Sequence, residues 1–119
     1  MSASATGASP YDAPSFEAFW PSYVRMHTRP ETQALHAVAT LSAITLVAAG
    51  VVTMRPSLVV LAPVVDYAVA QTSHRVFEKN RTTPWRHHAW HARAELRMLW
   101  LVLRGRMRAE VARHGAVDA

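Results

Sequence analysis

Histidine is the residue type here with the clearest chemical use, because a neutral imidazole holds transition metals and changes charge near neutral pH. The chain has seven histidines and no cysteine. A thiolate metal site, a disulfide framework and a cysteine nucleophile are therefore excluded, and any metal must be held by imidazole, carboxylate or water. In "SHRVFEKNR", Ser73 to Arg81, His74 and Glu78 stand four residues apart and share one face of a helix. "HHAWH" adds His87, His88 and His91, with His87 and His91 on one helical face. Imidazoles with a carboxylate suit iron, zinc or copper, and open positions beside them suit iron–oxygen chemistry. A solvated basic loop is the competing reading for His88 and His91, and His114 reads as a snorkelling polar group.

Two apolar runs must position these side chains. From Thr32 to Met54 there are 23 residues without Asp, Glu, Lys or Arg. About 20 such residues cross the hydrocarbon of a bilayer, so residues 35–54 are expected to span it. "RPS" at Arg55 to Ser57 breaks the helix, since proline lacks a donor and clashes with the preceding turn. The run at residues 57–73 is shorter and contains Pro63 and Asp66. The expected architecture is all-α: a small integral membrane protein with a two-helix transmembrane hairpin flanked by interfacial amphipathic helices. A signal peptide does not fit, because the first run starts deep in the chain. Core helices of a soluble bundle remain the alternative, since Thr, Ser and His interrupt both runs. In this hairpin His27 and His36 lie where the chain enters the first run and His74 where it leaves the second, so the imidazoles converge at one interfacial depth.

Charge orients the hairpin. Thirteen basic residues against eight acidic ones give a net charge of +5. Arg25 and Arg29 precede the first run, Arg55 lies in the turn, and the other basic residues follow the second run. The positive-inside rule then puts both termini in the cytoplasm. In "RMLWLVLRGRMRAEVAR" the arginines alternate with apolar residues and a tryptophan, which favours a lipid interface over nucleic acid. Residues 1–14 read as a disordered tail, residues 15–108 as one helical domain and residues 109–119 as a second tail. Ser15 to His27 reads as a short interfacial helix, bent or begun at Pro21. "TRPE" fits a capping box that starts the first membrane helix, with Thr28 as N-cap and Glu31 three residues on.

From Phe16 to Met107 the chain resembles the membrane family of 2-hydroxy fatty acid dioxygenases. "FEAFWPSYVRMH" is similar to that family's aromatic opening helix, ending here in His27, and "ALHAVAT" to its Leu-His segment, here His36. "DYAVAQTSHRVFEKNR" resembles its most distinctive signature and puts His74, Glu78 and Asn80 on matching positions. "AELRMLWLVLRGRM" is similar to its closing segment. The resemblance implies a helical membrane protein that binds Fe2+ and uses O2 to remove one carbon from a 2-hydroxy fatty acid. It implies His27, His36 and His74 as iron ligands or their immediate partners, with His87 as a weaker carry-over. Glu78 is implied as a ligand or as the orienter of His74, and Asn80 as a catalytic-site residue. The acyl chain would lie along the hairpin among membrane lipids, its head meeting Arg75, Lys79 or Arg81. Those three also read as ordinary positive-inside residues.

Several positions depart from the family. Its glycines appear as Ala39, Asp66, Ala68 and Ser73, which implies looser or rearranged helix packing. Asp66 is a carboxylate at membrane depth, by default a functional polar site, or else a protonated or paired group near the end of a tilted helix. A non-catalytic lipid-binding scaffold, a haem carrier and a zinc hydrolase with Glu78 as base are the other functional readings. No serine nucleophile elbow, phosphate loop or nucleotide fold is present in the sequence.

Overall fold

A computed structural model describes residues 9–115 of the chain, and among these there is no strand. Five helices follow in order: α1 (Phe16–Arg25), α2 (Pro30–Val52), α3 (Pro56–Ser73), α4 (His88–Leu103) and α5 (Met107–His114). One π-helical turn, His74–Glu78, continues α3, and short 3-10 turns cover Pro10–Asp12 and Pro84–Arg86. The all-α expectation holds.

The long hairpin of α2 and α3 has an inverted distribution of side chains. Its inner seam is built from small residues: Ala37, Ala39, Thr40 and Gly50 on α2, with Ala62, Ala70 and Ser73 on α3, are all buried. Its outer faces carry Val38, Leu41, Ile44, Val47 and Val51, and Val60, Leu61, Val64 and Tyr67, all exposed. Ala39 and Ser73, two of the residues at family glycine positions, are fully buried in this seam. Small side chains at these two positions let the helix backbones approach one another. At the turn, Gly50 is required by space: a Cβ there would stand 2.7 Å from Val59 Cγ2 and 3.0 Å from the Arg55 carbonyl oxygen.

Of the described helices, α2 alone is long and apolar enough to cross a membrane. At about 1.5 Å per residue its 23 residues also match the thickness of the hydrocarbon. The second arm, α3, packs against it but is interrupted by Pro63 and Asp66.

At the other end sits an aromatic cap. Phe16, Phe19, Trp20 and Tyr23 recur at helical spacing on α1 and bury one face against Ala94 and Met98 of α4 and Met107 of α5. Ser15 caps α1 by accepting from the Ala18 amide at 3.1 Å, and the helix runs through Pro21. The Trp20 indole N–H donates to Glu110 at 2.8 Å, which clips α5 to α1. Parts of both expected tails are thus folded: Tyr11 is buried in the cap and α5 reaches His114. Residues 1–8 and 116–119 of those tails lie outside the described residues.

The expected capping box is replaced. Helix α2 starts at Pro30 with Arg29 as N-cap and no side-chain cap. The Thr28 hydroxyl instead donates to Glu78 at 3.1 Å, a partner 50 residues away.

Candidate metal centre

Three histidines from three segments meet where the cap joins the hairpin. His27 comes from the link after α1, His36 from the second turn of α2, and His74 from the π-turn after α3. One ring nitrogen of each lies within 4.8 Å of the others, and all three side chains are buried. Their rings meet edge to face, with centroids 4.5 to 4.9 Å apart. This is the only group of three or more potential ligands found among the described residues.

The hydrogen bonds around the rings fix their tautomers. His27 Nδ1 lies 2.7 Å from the Tyr23 carbonyl oxygen and His36 Nδ1 lies 2.9 Å from that of Thr32. A carbonyl only accepts, so in both rings Nδ1 carries the proton. His74 Nδ1 donates to Asn80 Oδ1 at 2.8 Å, and the Asn80 amide is held in that orientation because Nδ2 donates to the Met26 carbonyl at 3.2 Å. All three Nε2 atoms are left as bare lone pairs. Two of them, on His27 and His36, stand 3.2 Å apart with no proton to share. The third, on His74, is buried without any partner.

Three lone pairs facing one another in a buried site repel unless a cation lies between them. The separation fits one: with metal–nitrogen bonds of about 2.1 Å, nitrogens 3.2 Å apart subtend an angle of about 100° at the metal. Anchoring of each ligand's other nitrogen by a carbonyl or amide oxygen is the usual outer support of a histidine metal site. Electrostatics agree. Burial, with His36 and His74 adding to it, holds the His27 imidazole well below its ordinary range. Burial also lowers His74, against the opposing pull of the Asn80 hydrogen bond. The ligands are therefore neutral and ready for a metal.

The other residues singled out in the sequence fall into distinct places. Asn80 orients His74. Glu78 does not touch the His74 ring: it accepts from the Thr28 hydroxyl and the Arg29 amide, and so ties the end of α3 to the start of α2. His87 is not brought to the cluster. Its Nδ1 accepts from the Trp90 amide at 3.2 Å, capping α4, while its ring stacks on Trp90. His91, one turn further on, approaches the centre instead: its ring packs edge-on against Tyr23, which stacks on His27 at 4.1 Å. Burial and the nearness of His74 and His88 push the His91 imidazole down to about 4. Arg75, Lys79 and Arg81 line an open depression with Asn80. Asp66 lies half-buried on α3, beside a cavity that Glu95 of α4 shares.

Tyr23 and Glu95 are absent from the expectations drawn from sequence, and His91 enters them only as a histidine on one helical face with His87. The available signal was their spacing, since Tyr23 precedes His27 and His91 precedes Glu95 by one helical turn.

No curated protein and no solved structure matches the chain. A family model described as 2-hydroxy-palmitic acid dioxygenase Mpo1-like matches residues 13–107, a span that contains the three histidines, Asn80 and both arms of the hairpin. The chain belongs to the Mpo1-like family.

Proposed function

We propose that this protein is an Fe2+-dependent, dioxygenase-like membrane protein that shortens 2-hydroxy fatty acids by one carbon. The observation that carries the reading is the trio of proton-free Nε2 atoms of His27, His36 and His74 aimed at one point. The description of the family supplies the substrate class. A ferrous ion held by three neutral imidazoles would keep its full charge and leave coordination positions open. His27, His36 and His74 would hold the ion, which when bound would supply Lewis-acid and O2 chemistry at the head of the 2-hydroxy acid. The overall change balances without a further reductant: a 2-hydroxy acid and one O2 give the acid one carbon shorter, CO2 and water. Carbon loses the four electrons that O2 gains.

The chain's own residues supply positioning. Tyr23, Thr32 and Asn80 hold the ligand rings in one tautomer. Arg75, Lys79 and Arg81 draw the anionic head of the lipid to the interface. The aromatic cap of α1 and α4 closes one side of the centre against water. The hairpin of α2 and α3 lies in the bilayer, its apolar outer faces towards lipid and its small-residue seam inside, with both termini in the cytoplasm. Exposed faces of Val, Leu and Ile on both arms support this reading over a soluble bundle.

The test is metal content of detergent-purified protein prepared without oxygen, with oxygen uptake on 2-hydroxyhexadecanoate measured on the same sample. About one iron per chain and substrate-dependent uptake, both lost in His74→Ala, are expected. Equal and negligible iron in wild type and variant would sink the reading in favour of a lipid-binding scaffold. Zinc in place of iron, lost on mutation, would keep the centre and replace the chemistry.

A further inference from the structure

A second set of buried polar atoms lies between α3 and α4 and is not used by the metal centre. Glu95 of α4 is only 8% exposed, and its Oε2 has no hydrogen-bond partner. Asp66 Oδ1 on α3 and His91 Nδ1 on α4 are likewise buried and unpartnered. These three residues line one cavity of about 330 Å3 between α3, the Pro84–Arg86 turn and α4. That volume is in the usual ligand-pocket range of about 300–1,000 Å3. Its remaining wall is largely apolar, including Pro63, Ala70 and Trp85.

Buried polar atoms in folded proteins nearly always have partners, so several orphans around one cavity call for an occupant. A metal is a poor one, because Asp66, Glu95 and His91 do not form a ligand group of the kind the three histidines make. Burial, followed by the neighbouring Asp66 carboxyl, raises the Glu95 carboxyl to about 9, so it keeps its proton at neutral pH. Asp66 Oδ1 and Glu95 Oε2 therefore present acceptor oxygens to the cavity. Such a site welcomes a hydroxyl donor and repels a carboxylate. The cavity is also next to the metal centre, because His91 packs on the Tyr23 ring that covers His27. Away from it, Val60, Val64 and Tyr67 continue as an exposed apolar stripe down α3.

We propose that this cavity receives the head of the 2-hydroxy fatty acid, with the 2-hydroxyl donated to the Asp66–Glu95 pair and the acyl chain laid along the Val60–Val64–Tyr67 stripe. The proposal rests on the substrate class given above and makes Glu95 the positioning residue that distinguishes hydroxylated from unhydroxylated acids. The carboxylate, turned away from the acidic pair, faces His91. A site built to bond a hydroxyl rejects the analogue without it, because its own buried groups then go unpaired.

The experiment is a binding titration of the full chain in detergent, stripped of metal, followed by tryptophan fluorescence, since Trp85 lines the cavity. The ligands are 2-hydroxyhexadecanoate and hexadecanoate. Wild type is expected to prefer the hydroxy acid by about tenfold, the worth of one well-placed buried hydrogen bond. Glu95→Leu should bring the ratio close to one, whereas Glu95→Gln, which keeps an acceptor oxygen, should retain most of it. Asp66→Leu takes the place of Glu95→Leu if a thermal melt finds the latter unfolded. A folded Glu95→Leu protein that keeps the wild-type ratio overturns the proposal. Iron content and oxygen uptake of the wild type separate the two ideas. Iron and uptake with no hydroxyl preference overturn the cavity assignment alone. A hydroxyl preference without iron supports the cavity and overturns the dioxygenase reading.

Discussion

Asn80→Ala tests the claim that the centre is organised from outside the ligand set. The substitution removes the acceptor for His74 Nδ1–H at 2.8 Å and the donor to the Met26 carbonyl at 3.2 Å. Two hydrogen bonds at about 1 kcal/mol each put the cost in stability near 2 kcal/mol. The cost in metal affinity has two sources. Releasing the His74 tautomer lets the proton sit on either nitrogen, which weakens binding by only about twofold when the forms are equally populated. Losing the ring's fixed orientation and the basicity that the bond lends to Nε2 is larger, and outer-sphere deletions of this type cost about 10–100-fold. The expected result is therefore a 10–100-fold weaker site with unchanged stoichiometry, read by anaerobic titration with Co2+ against a competing chelator. Asn80→Asp keeps an acceptor, and a stronger one, so its affinity should stay at or above that of wild type. An Asn80→Ala protein that folds and binds within about twofold of wild type would refute the reasoning, since tautomer release alone accounts for that much.

Acid should destabilise the metal-free protein. Burial lowers His27, His74 and His91, so the folded state keeps them neutral while the unfolded chain takes up protons below the ordinary histidine value of about 6.5. Stability is then flat above that value and falls as pH drops below it, by up to about 2 kcal/mol per histidine at pH 5; equal melting temperatures at pH 5 and 7.5 would contradict this. Glu78→Ala, which loses the bonds to Thr28 and the Arg29 amide, should cost about 1–3 kcal/mol in a melt yet leave one metal per chain, because Glu78 ties segments together rather than touching the cluster. Gly50→Ala forces a Cβ against the Arg55 carbonyl and the Val59 backbone, which cannot move aside like a side-chain tip. It should lower stability by about 1–3 kcal/mol while metal affinity at the far end of the hairpin is unchanged.

Sequence reasoning reached the residues whose position follows from the hairpin and missed those decided by register or by partners distant in the chain. His27, His36 and His74 were legible because a hairpin returns its two ends to one level, and each histidine stands at such an end. His87 and His91 are equivalent by helical spacing. What separates them is that α4 begins at His88, which makes His87 the cap outside the helix and carries His91 inwards. Nothing local fixes that start, since "TTPWRHHAW" has no strong cap before it. Thr28 met a local rule, but Glu78 won its hydroxyl from 50 residues away, and the helix started one residue late. For Asp66 the sequence allows a paired group but does not name the companion, because Glu95 lies 29 residues on in a different helix and only the fold brings the two to one cavity.

The origin of the three ligands has a consequence for stability as well as for chemistry. His36 belongs to one arm of the hairpin and His74 to the end of the other, while His27 belongs to the link that leads to the aromatic cap. Without a cation, the cap is joined to the hairpin here by Asn80 to Met26, Gln33 to the His27 carbonyl at 2.9 Å, and Glu78 to Thr28 and Arg29. The facing lone pairs of His27 and His36 oppose that junction. A metal at one hundred times its dissociation constant would add about 2.7 kcal/mol to folding and turn the opposing contact into the strongest one. The same residues that would present iron to a substrate therefore also fasten the cap that keeps water from it, so loss of metal should loosen the cap before it unfolds the hairpin.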